Sequence, residues 1–229
     1  MGLKESGLRG SLRSVSTGVP AIPDEQDLHA HYDFSQEDGS LPITDQTGNG
    51  RDIVNGGYSG VSADINGVQA GEFDGTSDGV YTDQFASNLS PPYTYAYVAE
   101  LNDPPNNELS IPVNSQFEST DLAQFIHRTD SLNTVQMGYG DILRGGSEFD
   151  TLVTGIFSSS GSLRTMGVER DTGDTTGQSA EAVEIGSRGG GTDRNFDGKF
   201  GELLVYDGDK SSNIGEIEGY LADKWGITI

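Results

Sequence analysis

Glu148 and Asp150, two residues apart in GGSEFDTLV, have the spacing from which a strand could begin to build an acid–base pair. A retaining glycosidase needs two carboxylates about 5 Å apart, one to attack the sugar and one to donate and recover a proton. A strand delivers them as E-x-D-x-x-E, with alternate side chains facing one cleft, but here Val153 stands where the second glutamate belongs. Glu148 and Asp150 therefore read as ordinary outward acids. His29 and His31 are also two apart, a spacing able to chelate a transition metal, but His127 is the only other histidine, and a solvated pair is the simpler reading. Without cysteine there is no thiolate for catalysis and no disulfide framework. No Ser-His-Asp order, phosphate-cradling glycine loop or zinc-ligand spacing stands out from so Gly- and Asp-rich a chain. The chain is expected not to be an enzyme.

The elements that position these groups are short. LHAHYDFS (28–35) alternates Leu28, Ala30, Tyr32 and Phe34 against His29, His31, Asp33 and Ser35, a strand of period two with both histidines on its outer face. YTYAYVAEL (93–101) alternates again, with Tyr93, Tyr95 and Tyr97 on one face as either a sugar-stacking platform or a core layer. FDGKFGELLVY (196–206) is a half-buried strand bounded by Asp-Gly turns. A helix follows: Ile214, Ile217, Leu221 and Trp225 share one face, Asn213 and Glu216 form a capping-box pattern, and Gly226 marks the stop. Further strands are predicted at 122–128, 133–139, 149–157, 162–169 and 181–186. Eight Asn-Gly or Asp-Gly pairs supply tight turns, and the sum is an all-β sandwich.

Charge narrows the setting. Thirty-six acidic against thirteen basic residues leave −23, which disfavours nucleic acid and anionic lipid as partners. Only four of the thirteen cations are lysines, the balance expected of a protein working in molar salt, where the Debye length falls to about 3 Å and like charges stop repelling. No run approaches the roughly 18 apolar residues of a membrane span, and no apolar signal segment opens the chain. Residues 1–24 differ from the rest: Lys4, Arg9 and Arg13 against Glu5 give the arm +2 up to Val19, leaving −25 for the remainder.

Three blocks carry a resemblance. GKFGELLVY with the later KWGI, VQAGEFDGTSDGVY (68–81) and TDQTGNGRD (44–52) resemble, in order, the closing strand and helix, a strand-turn-strand and a "DxSGNGxD" turn of LamG-like, concanavalin A-like jelly rolls. The resemblance implies a LamG-type jelly-roll β-sandwich over 25–229, with a short C-terminal helix and an extended N-terminal arm over 1–24. It places the tyrosine strand in the core. It also makes calcium the plausible ion, with Asp74 and Asp78 as candidate ligands beside a glycine turn that the same residues could simply be forming. No cofactor is otherwise required. GLRGSLRSVSTGVPAIPD resembles the openings of LamG-like structural proteins of haloarchaeal tailed viruses and proviruses. On that likeness the chain is expected to be a virion protein, as capsid turret, decoration or tail-fibre module. Leu3, Leu8, Arg9, Leu12, Arg13 and Val15 would anchor it to other capsid or tail proteins, in a pentamer or trimer able to touch host-surface glycans. The alternative is a stand-alone carbohydrate-binding lectin module of a haloarchaeal surface or secreted protein.

Overall fold

Alternating apolar and polar residues between tight turns build fifteen strands and one α-helix among the described residues. The structure, a computed structural model, describes residues 20–102, 109–114, 124–128, 134–139, 141–144, 152–158, 162–166, 168–172, 179–187 and 195–229. In chain order the strands are β1 (Leu28–Asp33), β2 (Ile53–Gly57), β3 (Gly60–Ile65), β4 (Val68–Asp74), β5 (Gly79–Thr82), β6 (Tyr93–Leu101), β7 (Leu109–Asn114), β8 (Gln124–Arg128), β9 (Thr134–Tyr139), β10 (Asp141–Arg144), β11 (Leu152–Ser158), β12 (Ser162–Thr165), β13 (Val168–Thr172), β14 (Glu184–Ile185) and β15 (Asp197–Asp207). Helix α1 spans Ile214–Trp225. One sheet runs β13-β12-β11-β6-β15-β4-β3, with β1 also on β15; the other runs β10-β9-β8-β7-β14-β5-β2. The fold is an all-β sandwich with one late helix.

Strand β15 is the axis of the larger sheet. Along one side it pairs with β6, and along the other its first residues pair with β4 and its later ones with β1. Phe200, Leu203 and Val205 point between the sheets, where they meet Tyr32, Phe34, Phe73 and the β6 tyrosines. Tyr93, Tyr95 and Tyr97 are at most 1% exposed, so the tyrosine face is a core layer. The opposite face of the sheet is covered too: Ala96, Val98, Leu204 and Tyr206 pack under Ile217, Leu221 and Trp225 of α1.

Two bulges decide which side chains reach that helix-covered face. The β15–β6 register breaks between Phe200 and Glu202, so Phe200 and Leu203 both face the core while Glu202 turns toward α1. Gly201 lies under the Trp225 indole, and a Cβ there would stand 2.9–3.0 Å from the ring, so only glycine lets Trp225 seat. The β1–β15 register breaks between Leu28 and Ala30. Leu28 consequently joins the cluster beneath α1, while Ala30, Tyr32 and Phe34 stay in the inter-sheet core, which corrects the period-two reading that put all four on one face.

The helix starts at Asn213 and stops at Gly226, as its sequence indicates, but the capping box is not made. The Asn213 side chain caps no helix N–H; its Nδ2 donates to Asp24 Oδ2 at 2.8 Å. Gly226 closes the helix at φ 64°, its N–H donating to Ala222 O. The strand expected over 162–169 is two strands, broken at Met166, whose φ is 49°. Strands β2, β3, β7 and β10 are not among those expected from the sequence: β2 and β10 alternate weakly, β3 alternates (Val61, Ala63, Ile65) but lies between glycine turns, and β7 alternates (Leu109, Ile111, Val113) but contains Pro112, which argues against a strand.

Candidate functional site

The strand-turn-strand of residues 68–81 is a corner: β4 belongs to one sheet and β5 to the other. Asp74 and Asp78 hold it. The Asp74 carboxylate accepts from the N–H groups of Thr76, Ser77 and Asp78 and from both hydroxyls, at 2.8–3.0 Å. Burial alone would raise its pKa, but the Ser77 and Thr76 donors outweigh that and hold it well below the usual carboxylate range. Asp78 is buried, and its Oδ2 accepts from Asp74 N and Ser59 Oγ. As calcium candidates, both carboxylates already have local donors, and a cation would compete with the turn.

The histidines are not a solvated pair, contrary to the outer-face reading. The bulge turns His29 toward Phe85, edge to face at 4.9 Å, while His31 is buried under α1 because the helix covers that face. Burial, then the Arg51 charge, lowers the His29 pKa to about 4, so the ring is neutral at neutral pH. His31 enters a closed polar cluster. Its Nε2 lies 2.7 Å from Glu202 Oε1, which also accepts from Tyr220 OH at 2.8 Å. Glu202 Oε2 accepts from Trp225 Nε1 and Lys224 Nζ, each at 2.8 Å, and the same ammonium reaches Asp33 Oδ2 at 2.8 Å.

His31, Asp33 and Glu202 place three possible metal-ligand atoms within 4.8 Å of one another. They do not fit a metal, because the Lys224 ammonium is already the cation between the two carboxylates and the indole and phenol fill the remaining acceptor positions. Nor do they fit acid–base catalysis, since Glu202 is fully buried. The cluster fastens the helix to the sheet. Glu218 does the same further along, taking Arg164 Nε at 2.6 Å and Thr154 Oγ1 at 3.1 Å. This gives GELLVY and KWGI a joint meaning: Glu202 of one holds Lys224 and Trp225 of the other.

The TDQTGNGRD turn works on the free edge of β1. Asp45 accepts from His31 N at 3.1 Å, Gln46 N donates to His31 O at 2.9 Å, and Arg51 Nη1 donates to His29 O at 2.8 Å. The turn satisfies backbone groups that an open edge would offer to another strand. Its outer side forms, with the loop after β5, a cleft of about 410 Å³ whose lining includes Asn49, Arg51, Asp52, Asp83, Gln84 and Phe85. The guanidinium of Arg51 also lies over Phe85, 5.8 Å from the ring centre. A cleft of this size suits a small ligand. Sequence reasoning missed it, because its residues come from a turn and a loop about thirty positions apart.

The entry of the arm is also fixed. Tyr206 OH donates to Pro23 O at 3.0 Å, Lys210 pairs with Asp24 at 3.4 Å and with Asp27, and Ile22 packs beside α1. The anchor residues Leu3, Leu8, Arg9, Leu12, Arg13 and Val15, and Glu148 and Asp150, lie outside the described residues.

No family model and no curated protein matches this sequence. Solved structures do match. Trypanosoma rangeli sialidase in complex with sialic acid aligns with a TM-score of 0.64 at 12% identity, over 90% of this chain and 34% of the sialidase. Domain 4 of a GH43 extracellular arabinanase from Geobacillus stearothermophilus, in complex with arabinotriose, aligns with a TM-score of 0.52 at 19% identity, over 83% of this chain and 98% of that domain. A GH54 α-L-arabinofuranosidase aligns with a TM-score of 0.55 at 14% identity, over 80% of this chain and 50% of the other. The chain thus spans about a third of the sialidase it matches. Identities this low show a common β-sandwich fold of the kind found in carbohydrate-active proteins, and the fold alone does not carry an activity.

Proposed function

We propose that this chain is a non-catalytic display module: a β-sandwich held on a haloarchaeal virus particle by its N-terminal arm, as capsid turret, decoration or tail-fibre component, and able to touch host-surface glycans. The observation that carries the reading is the fixed entry of the arm. Pro23, Asp24 and Asp27 are bound to Tyr206, Asn213 and Lys210, so a load on residues 1–19 passes into β15 and α1 rather than peeling β1 away. The arm's +2 charge against −25 for the remainder suits it to an acidic partner, and each leucine fully covered there adds about 1.5–3 kcal/mol. Deleting residues 1–19 is expected to leave a folded, soluble sandwich that no longer joins particles. Arg9→Glu with Arg13→Glu should lower incorporation without moving the Tm. Mass spectrometry of purified virions reads both, and normal copy number of the truncated protein would rule out the arm as the anchor.

A lectin module of a surface or secreted protein is the second reading. The cleft favours it, as does the likeness to an arabinanase domain that is matched over 98% of its length and holds arabinotriose. Neither reading includes hydrolysis. The buried carboxylates Glu202 and Glu218 are committed to the helix, and the Glu148–Asp150 pattern lacks its third acid. Pure protein should release no reducing sugar from host-surface glycans; release abolished by Glu148→Gln would make it a glycosidase.

A further inference from the structure

We infer that the cleft between the 49–52 turn and the 83–87 loop takes an uncharged saccharide, held edge-on by hydrogen bonds rather than stacked on an aromatic face. The inference rests on the glycan-contact reading above, in either setting. Among the described residues Phe85 is the only aromatic side chain lining the cleft, and it is 8% exposed, with Arg51 over its face and the edge contact with His29 against it. Its ring is therefore closed to a sugar. What the cleft offers instead is planar polar groups held by the fold. Arg51 is oriented by His29 O at 2.8 Å, Asn49 Nδ2 by Leu28 O and His29 O at 3.4 and 3.2 Å, and Asp83 Oδ1 by Asn55 Nδ2 at 2.9 Å. Gln84 is exposed beside them. Carboxylate, amide and guanidinium edges each present two adjacent polar atoms, the spacing that meets a pair of neighbouring hydroxyls.

Charge selects among saccharides. Asp52 and Asp83 outnumber Arg51 along the lining, and the whole protein carries −23, so a carboxylated sugar meets repulsion where a neutral one does not. Molar salt weakens this choice without ending the binding. With a Debye length of about 3 Å, an ionic contact in an open cleft is heavily screened, whereas hydrogen bonds to hydroxyls persist.

Full-length protein in about 3 M NaCl, a salt level at which surface charge is screened, is presented to an array of neutral pentose and hexose trisaccharides and their uronic-acid counterparts, and hits are measured by calorimetry there and at the lowest NaCl that keeps the protein folded. At the lower salt a neutral trisaccharide should bind at least about tenfold more tightly than its uronic counterpart, a gap that shrinks in about 3 M NaCl, and Gln84→Ala or Asp83→Ala should each weaken the neutral ligand by about tenfold or more with unchanged circular dichroism. Asp83→Asn should narrow the gap between neutral and uronic ligands. Equal binding of both classes at the lower salt overturns the charge selection while leaving glycan contact standing. A bound saccharide indifferent to Gln84→Ala and Asp83→Ala overturns the cleft as the site. If folded protein holds no saccharide at all, the glycan-contact reading falls and takes this inference with it.

Discussion

Replacing Glu202 by alanine is expected to destabilise the sandwich by about 3–5 kcal/mol, because it leaves the Lys224 ammonium buried with one carboxylate fewer and strips His31, Tyr220 and Trp225 of their common acceptor. In a domain of this size that corresponds to a Tm lower by roughly 6–20 °C, read by thermal melts in molar NaCl. Removing both charges at once separates the cost of an orphaned ion from the value of the pair. Glu202→Leu with Lys224→Met should recover only part of the loss, since it removes the orphaned ammonium but leaves Asp33 without its cation and His31, Tyr220 and Trp225 without their acceptor. A pH series adds a second reading. Burial raises the Glu202 pKa, but the His31 hydrogen bond and the Lys224 charge prevail and hold it below its ordinary 4.5. A depressed carboxylate stabilises fully above its ordinary pKa and stops doing so as pH falls through its folded value, so the gap between wild type and Glu202→Ala should stay constant at neutral pH and close only in acid. A variant within about 1 kcal/mol of wild type at pH 7 would mean that α1 is not held by this cluster.

Dialysis from about 3 M to about 0.1 M NaCl, where the Debye length grows to about 10 Å, is expected to unfold the protein, with loss of the far-UV strand signal. The structure shows where its cations have gone. All three lysines among the described residues are tied to carboxylates: Lys199 to Glu100 at 3.1 Å, Lys210 to Asp24 and Asp27, and Lys224 to Asp33 and Glu202. They bind parts of the fold to one another, while Asp38, Asp64, Glu216 and Asp223 stand exposed. Changing those four acids to their amides should lower the salt concentration at which folding is half complete. Strand signal and Tm unchanged at 0.1 M would sink the reading of the protein as one adapted to molar salt.

The parts of the fold that could be read were those whose cues are local. The 93–101 strand appears at its expected bounds, the 196–206 strand one residue later, and the helix with its apolar face and Gly226 stop, because periodicity and turn residues specify each without help from elsewhere. What failed was facing. The single-residue bulges at His29 and Gly201 exchange one side of a strand for the other, and nothing in LHAHYD or FGELLV marks them. The covering helix turns a face that the alternation leaves wet into a dry one, which is why period two alone puts His31 and Asp33 at the surface. One signal is present: Glu202 interrupts an apolar strand and KWGI carries one of the four lysines, and a charge set inside an apolar segment needs an opposite partner when that segment is buried. The cleft was less accessible, since it needs the tertiary approach of two loops that share no pattern.

The position of β15 has a further consequence for the order in which the protein can form. This strand, at residues 197–207, is the one on which β1, β4 and β6 all pair. A nascent chain that has emerged through residue 190 contains the neighbours of that strand but not the strand between them. Nothing then joins β6 to β4, and the inner faces of both stay wet. Local hairpins such as β3–β4 and β11–β12 can close early, but the larger sheet completes only when contacts spanning more than 150 residues are made, as in the pairing of Leu28 with Tyr206. The larger sheet is therefore incomplete until residue 207 has been made, and the clamp on Pro23 and Asp24 assembles with the last strand and helix. Only a copy synthesised through its helix holds Pro23 and Asp24 against Tyr206 and Asn213, so a chain broken off before residue 214 enters the fold with that segment unbraced.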